Sequence, residues 1–326
     1  MSIRVFIQTD KFKGGVDIFR SRLIGALNKL EDIEVVTNFD KKFDVELAFI
    51  RRIYKHNKPI VLRLSNCYYF KGYKPWNNKP IAKAITKSSH IVFQSKFAYK
   101  LLDRVLRIGH LGLMDHCDHS IIYNGVDLDY INEIEPNDKI IPGSFITCAR
   151  WDPNKRPLST IKGFLKANTK RHLYVIGDKG VEGVGKKLGQ KYKDNKYIHF
   201  LGSLSNREVI SAMKSCEYQI HLSFIDICPN IVLEGLSCGL KVLCTNLGGT
   251  PELVGNRGVV LNTDKFWPHP KRYLKKRIED LDNLKSRTVA DGIEKLMKHK
   301  NVSSDTNFDI NEVAKRYERV IKKVLK

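Results

Sequence analysis

Short runs of branched and aromatic residues alternate along the chain with longer amphipathic stretches. Up to residue 125 the strand-like runs are 3–9, 34–39, 45–51, 59–65, 90–95 and 120–125, with an amphipathic stretch at 17–30. A second series opens after Pro142, with strand-like runs at 144–150, 172–178, 197–202, 218–223, 241–246 and 258–262. Its helical stretches fall at 156–168, 206–216 and 229–239. Alternation of this kind predicts β-α-β units on parallel sheets, and its two series predict two α/β domains. The acidic, polar stretch 127–143 carries two prolines and reads as the linker. In the last residues Val313, Tyr317, Val320 and Val324 stand at helical spacing, which predicts a closing helix. The expected organisation is therefore 1–135, 136–305 and a closing helix within 306–326, with no solenoid repeat and no low-complexity tract.

The length of 326 residues allows each domain a core of its own. No apolar run approaches the roughly 20 residues that span a bilayer. At the start of the chain Arg4, Gln8 and Asp10 interrupt the apolar residues and no small-residue cleavage site follows, so a secretory signal is not expected. A cytoplasmic location follows, with peripheral contact at a membrane surface left open. The seven cysteines are scattered, odd in number and never paired as Cys-x-x-Cys, which argues for reduced, mostly buried thiols. The formal net charge of +22 creates a field that attracts polyanions such as nucleic acid or an anionic membrane. An ordinary lysine-rich solubilising surface explains the same figure. The basic run 264–276, with interleaved aromatics, carries the same two readings, nucleic-acid or membrane contact against a solvated connection.

Open α/β sheets bind ligands beyond the C-terminal ends of their strands, so the glycines and charges placed there are the candidates for chemistry. Gly14 and Gly15 lie between the first strand and the first helix, where backbone N–H groups can approach a phosphate or sugar. The strand at 144–150 runs into Arg150 and Lys155, two cations suited to a diphosphate whose negative charge grows as a bond to it breaks. In the stretch 224–254, Asp226 and Glu234 stand eight apart around Pro229 and Asn230. Glu234 falls in the first turns of a short helix that ends near Gly239, placed to accept hydrogen bonds from ribose hydroxyls, and Asp226 lies on the preceding loop. The strand at 241–246 then leads into Gly248, Gly249, Thr250, Pro251 and Glu252.

On these residues the segment from about 144 to 262 resembles the C-terminal domain of the family 4 retaining glycosyltransferases of GT-B fold. Arg150 and Lys155 match the family's Arg and Lys after its first C-domain strand. Asp226-x7-Glu234 matches its Glu-x7-Glu signature, and Gly239, Val242 and Gly248-Gly249 match the helix end, strand and glycine loop that follow. In the N-terminal half the similarity rests on Gly14-Gly15, residues 94–97 and residues 123–127. The resemblance implies two Rossmann-like domains facing a central cleft, with the acceptor side at 1–135 and the donor domain at 136–305. It also implies transfer from a nucleotide-sugar donor to the hydroxyl of a glycan acceptor, a surface polysaccharide or glycoprotein glycan. The anomeric configuration is retained, with no cofactor and no bound metal. Arg150 and Lys155 would carry the leaving-group charge, Glu234 the ribose, and Asp226 with the backbone of Gly248 to Thr250 the sugar. Backbone from Gly202 to Leu204 would meet the base, and Gly14, Gly15 and Asn230 complete the donor set. The sequence departs from the family where Asp226 replaces the first Glu, which leaves the sugar open, and where Leu240-Lys241 replaces Leu-Pro.

Asp127-Leu128-Asp129 and Asp280-Leu281-Asp282 share the Asp-x-Asp spacing of metal-dependent transferases. One falls in the linker and the other in a charged helical stretch. His110, His116, Cys117, Asp118 and His119 have zinc-ligand types but lack a second clear pair. None is assigned a metal. Two rival functions remain at this level. One is glycosyl transfer to DNA bearing a hydroxylated base, with Lys and Arg on the phosphates; the other is a non-catalytic polyanion- or sugar-binding protein.

Overall fold

The apolar runs are buried parallel strands, and their continuity reflects sheets covered on both faces. The computed structural model describes residues 2–9, 14–51, 54–68, 75–177, 184–263, 284–300 and 308–326. The basic run 264–276 and Asp280-Leu281-Asp282 lie outside the described residues. The first sheet is built from β1 (Ile3–Ile7), β2 (Ile33–Val36), β3 (Val45–Phe49), β4 (Ile60–Leu64), β5 (His90–Phe93) and β6 (Asp118–Ile121). Their order is β2-β1-β3-β4-β5-β6. All five pairings are parallel, with Val5 opposite Val35 on one side and Val45 on the other. Helices α1 (Gly15–Leu27), α2 (Lys79–Ile85) and α3 (Lys96–Leu106) connect these strands. Helix α3 starts where the Ser95 hydroxyl accepts the Ala98 N–H, a side-chain cap.

The second sheet repeats the plan in the order β12-β11-β10-β7-β8-β9. Its strands are β7 (Ser144–Cys148), β8 (Leu173–Ile176), β9 (Ile198–Gly202), β10 (Cys216–His221), β11 (Lys241–Thr245) and β12 (Gly258–Leu261). Among the described residues the helices in this half are α4 (Leu128–Asn132), α5 (Pro157–Ala167), α6 (Val184–Lys191), α7 (Asn206–Ser215), α8 (Asn230–Ser237), α9 (Thr250–Val254) and α10 (Ser286–Met297). A reciprocal Ser205–Glu208 capping box opens α7. The core joins Phe145, Val175, Tyr218, Ile220 and Leu243 of the strands to Ile161 and Phe164 of α5 and Val289 and Ile293 of α10.

The predicted closing helix is α11 (Ile310–Val324), and it packs into the first unit rather than the second. Val313, Tyr317 and Ile321 sit in one core with Phe19, Leu23 and Leu27 of α1 and Val5, Leu47 and Phe49 of the sheet. Around this return Val126 N–H donates to the Phe308 carbonyl and Ile310 N–H donates to that of Val126. The chain divides between Asp127 and Leu128, ahead of the expected 135/136 position. The stretch read as linker is tied to α7, since Ser211 Oγ donates to the Glu135 carbonyl, Ser215 Oγ to that of Asn137, and Lys214 Nζ to that of Asn132. Ile131 and Ile134 are buried there. All seven cysteines are free thiols; Cys67, Cys228 and Cys244 are buried and the other four half-buried. Among the described residues no helix is long and apolar enough to cross a membrane.

Candidate functional site

In the second unit the strands β7, β9, β10 and β11 all deliver their C-terminal ends to the residues singled out above. After β7 the chain is held by Trp151, which is buried and donates from Nε1 to the Gly177 carbonyl at 2.6 Å. Pro153 then opens a single 3-10 turn, Pro153–Lys155, in which Lys155 N–H bonds the Asp152 carbonyl at 2.9 Å. Arg156 closes it in the left-handed region at φ 50°, its guanidinium 5.1 Å from the centre of the Phe224 ring. Phe224 N–H donates back to the Asn154 carbonyl at 2.7 Å. The turn that carries Lys155 is thus clamped to the loop leaving β10.

That loop carries Asp226. Its Oδ2 lies 2.5 Å from Lys155 Nζ, and both side chains are 21% exposed. His221, the last residue of β10 and buried, brings Nε2 to 3.3 Å from the same oxygen. Burial alone would raise the Asp226 carboxyl; the Lys155 ammonium and the His221 contact outweigh it and hold the group well below the usual carboxylate range. Burial also lowers the basicity of His221, which the Asp226 contact only partly offsets.

The glycine loop after β11 packs on the backbone of the same aspartate. Gly249 N–H donates to the Asp226 carbonyl at 2.7 Å. Gly248 sits at φ 97°, and a Cβ there would lie 2.5 Å from that carbonyl oxygen and 2.9 Å from the Asp226 nitrogen. Only glycine meets both demands. Thr250 follows as the buried first residue of α9. Lys155, Asp226, Gly248 and Gly249 therefore form one connected group.

Glu234 is buried in α8, behind Asn230, the half-buried first residue of that helix. Its Oε1 accepts from Asn206 Nδ2 at 3.2 Å. Burial first, and the Glu234 charge second, push the Cys148 thiol at the end of β7 up to about 12. Gly202 ends β9 at φ 68° and accepts the Gly177 N–H at 2.6 Å, with Leu204 half-buried two residues on. A cavity of about 560 Å³ opens beside it, lined among others by Gly177, Lys186, Gln190 and Phe200. Arg150 stands apart from the connected group. Its side chain is 70% exposed and its Nε lies 3.5 Å from Asp152.

Gly14 and Gly15 belong to the first unit, where Gly14 caps α1 at φ 79° with open space around its α-carbon. His116 and His119 have separate partners, the Ser88 carbonyl at 3.0 Å and a stacked Tyr99 ring. No group of three His, Cys, Asp or Glu residues suited to a metal occurs among the described residues. Sequence reasoning missed Trp151, Arg156, Asn206 and His221. The last had a usable signal, a lone histidine ending a parallel strand on the ligand side of the sheet.

The family described as Glycosyl transferases group 1 matches residues 135–300, just over half of the chain. Across 150 residues the chain is 23% identical to the phosphatidylinositol N-acetylglucosaminyltransferase gpi3 subunit of Schizosaccharomyces pombe, covering 45% of this chain and 30% of that protein. Across 138 residues it is 25% identical to the N-acetylgalactosamine-N,N'-diacetylbacillosaminyl-diphospho-undecaprenol 4-alpha-N-acetylgalactosaminyltransferase of Campylobacter jejuni, covering 42% and 37%. The match thus spans about a third of the length of these curated relatives. The crystal structure of Anabaena Alr3699/HepE in complex with UDP has a similar fold, with a TM-score of 0.64 at 15% identity over 98% of this chain and all of that one. The two parallel six-stranded sheets are those of the GT-B fold, and the chain belongs to the group 1 glycosyl transferases.

Proposed function

We propose that this protein is a family 4 retaining glycosyltransferase that moves a sugar from a nucleoside-diphosphate sugar to an acceptor hydroxyl. The observation that carries the reading is the connected group at Lys155, Asp226 and the Gly248-Gly249 loop, where a half-buried ammonium is fixed at a strand end by a clamped turn. In this reading Lys155 meets the diphosphate and Arg150, exposed on the same loop, folds onto its outer oxygens. Glu234, buried and braced by Asn206, accepts the ribose hydroxyls. Asp226 and the backbone of Gly248 to Thr250 hold the sugar, and the base lies by Gly202 and Leu204, beside the cavity.

The bond from the anomeric carbon to the phosphate oxygen breaks, and the acceptor oxygen bonds that carbon on the same face. The acceptor proton passes to the departing phosphate oxygen, so no strong protein base is needed. Lys155 and Arg150 stabilise the negative charge that appears on the diphosphate, an interaction stronger in the transition state than before it. The names of the two curated relatives place their acceptors on phosphatidylinositol and on a diphospho-undecaprenol. Both names are of transferases with lipid-linked acceptors; a glycan acceptor, on a surface polysaccharide or glycoprotein, is this reading's own proposal for the chain.

The test is turnover of UDP-, GDP- and ADP-sugars, followed by the configuration of the new anomeric centre in the product. The expected result is turnover of one donor class with retention, and a fall of roughly a hundredfold in kcat for Lys155→Ala. Inversion, or activity indifferent to Lys155, contradicts the reading.

A further inference from the structure

Oδ2 of Asp226 is shared by two nitrogen atoms of unequal geometry. Lys155 Nζ holds it at 2.5 Å, while His221 Nε2 stands 3.3 Å away, buried and without an aligned hydrogen-bond partner. An ionised carboxylate has no proton to give, so the ring nitrogen that faces it carries the hydrogen. A buried N–H left short of a partner costs free energy. Here the shortfall stands beside an ammonium that lies closer to the same oxygen.

The same ammonium is the group that a diphosphate would engage. Its turning towards phosphate oxygens removes from Asp226 the larger of the two contacts that offset the cost of burying that carboxylate. The backbone of Asp226 cannot follow, because its carbonyl is bonded to Gly249 and Gly248 is pressed against it. A side-chain donor already in place can compensate, and His221 Nε2 is the one beside Oδ2.

We propose that His221 is a positioning residue: when Lys155 turns to the donor diphosphate, Nε2–H of His221 takes over Oδ2 of Asp226. The imidazole closes to about 2.8 Å, and the carboxylate stays ionised and aimed at the sugar instead of holding Lys155 back. This rests on the reading of Lys155 given above.

The experiment is equilibrium binding of UDP, GDP and ADP to the full chain, with wild type, Lys155→Ala, His221→Leu and His221→Gln compared. It is paired with the NMR signal of the His221 Nε2–H in wild type with and without ligand. Leucine fills the volume without a donor, and glutamine restores an N–H at a similar reach. The expected result is binding by wild type, a loss for Lys155→Ala, and roughly tenfold weaker binding for His221→Leu. His221→Gln recovers most of it, and the Nε2–H signal moves downfield on saturation. Unchanged affinity in His221→Leu, or a stationary signal in wild type, overturns the proposal while the Lys155→Ala loss leaves the functional reading standing. No binding of any nucleoside diphosphate by wild type overturns both. Should His221→Leu not fold, the wild-type signal decides.

Discussion

At the residue scale the site depends on backbone contacts as much as on charge. Gly248→Ala forces a Cβ to within 2.5 Å of the Asp226 carbonyl oxygen at a φ of 97°, and should cost roughly 3 kcal/mol. Chemical denaturation checks it; a stability equal to wild type would mean that the loop is not packed on Asp226. The carboxyl of Asp226 is held below its usual range by Lys155, so the sign of its pH dependence is fixed. A depressed carboxyl contributes stability above the unfolded value of about 3.9 and loses it as the pH falls towards the folded one. Asp226→Asn should therefore be less stable than wild type at neutral pH, with the gap narrowed at about pH 3. Denaturant titrations at the two pH values measure the gap, and a gap that widens in acid contradicts the pairing.

At the element scale, α5 and α10 pack so closely that a Cβ on Gly163 would meet Val289 Cγ1 at 2.3 Å. Gly163→Ala should cost on the order of 1–3 kcal/mol. Combined with Val289→Ala, which clears the space, the loss should be smaller than the sum of the single losses, a coupling that a double-mutant cycle reads. Strict additivity would remove the contact. This packing was not legible in the sequence. The strand-like runs of both halves, with α1, α5, α7, α8 and α11, were legible because their apolar residues recur at the spacing of a buried strand or helix face between turn signals. The helix α10, next to the basic aromatic run, went unread, and α4 was hidden in an acidic stretch that looked like a linker. What exposes α4 is its anchoring to Ser211, Lys214 and Ser215, a long-range fact that no local pattern carries.

The same division runs through the site. Lys155, Asp226, Glu234 and Gly248 were legible as a spaced motif, because strand ends, a helix start and a glycine turn constrain residue type locally. Asn206 was not, since it acts on Glu234 from another helix, and His221 showed only as a histidine at a strand end, without its partner. Arg150 has the motif position but is exposed, beside Asp152 rather than Lys155.

At the scale of the whole molecule the chain returns on itself, its last helix completing the core of the first unit. Tyr317 is fully buried against Phe19 there. Tyr317→Ala should remove about 3–5 kcal/mol from the first unit, while the second keeps its own core. Calorimetry should then resolve an early transition ahead of a second one near the wild-type temperature; one unsplit transition shifted as a whole would show that the units do not melt separately.

In the proposed function everything turns on the ammonium at position 155 receiving the diphosphate of a sugar donor. A crystal structure of the full chain with a bound nucleoside diphosphate tests it most directly. Phosphate oxygens should lie within hydrogen-bond distance of Lys155 Nζ, with Asp226 passed to His221. A diphosphate bound elsewhere, with Lys155 still closed on Asp226, would contradict it.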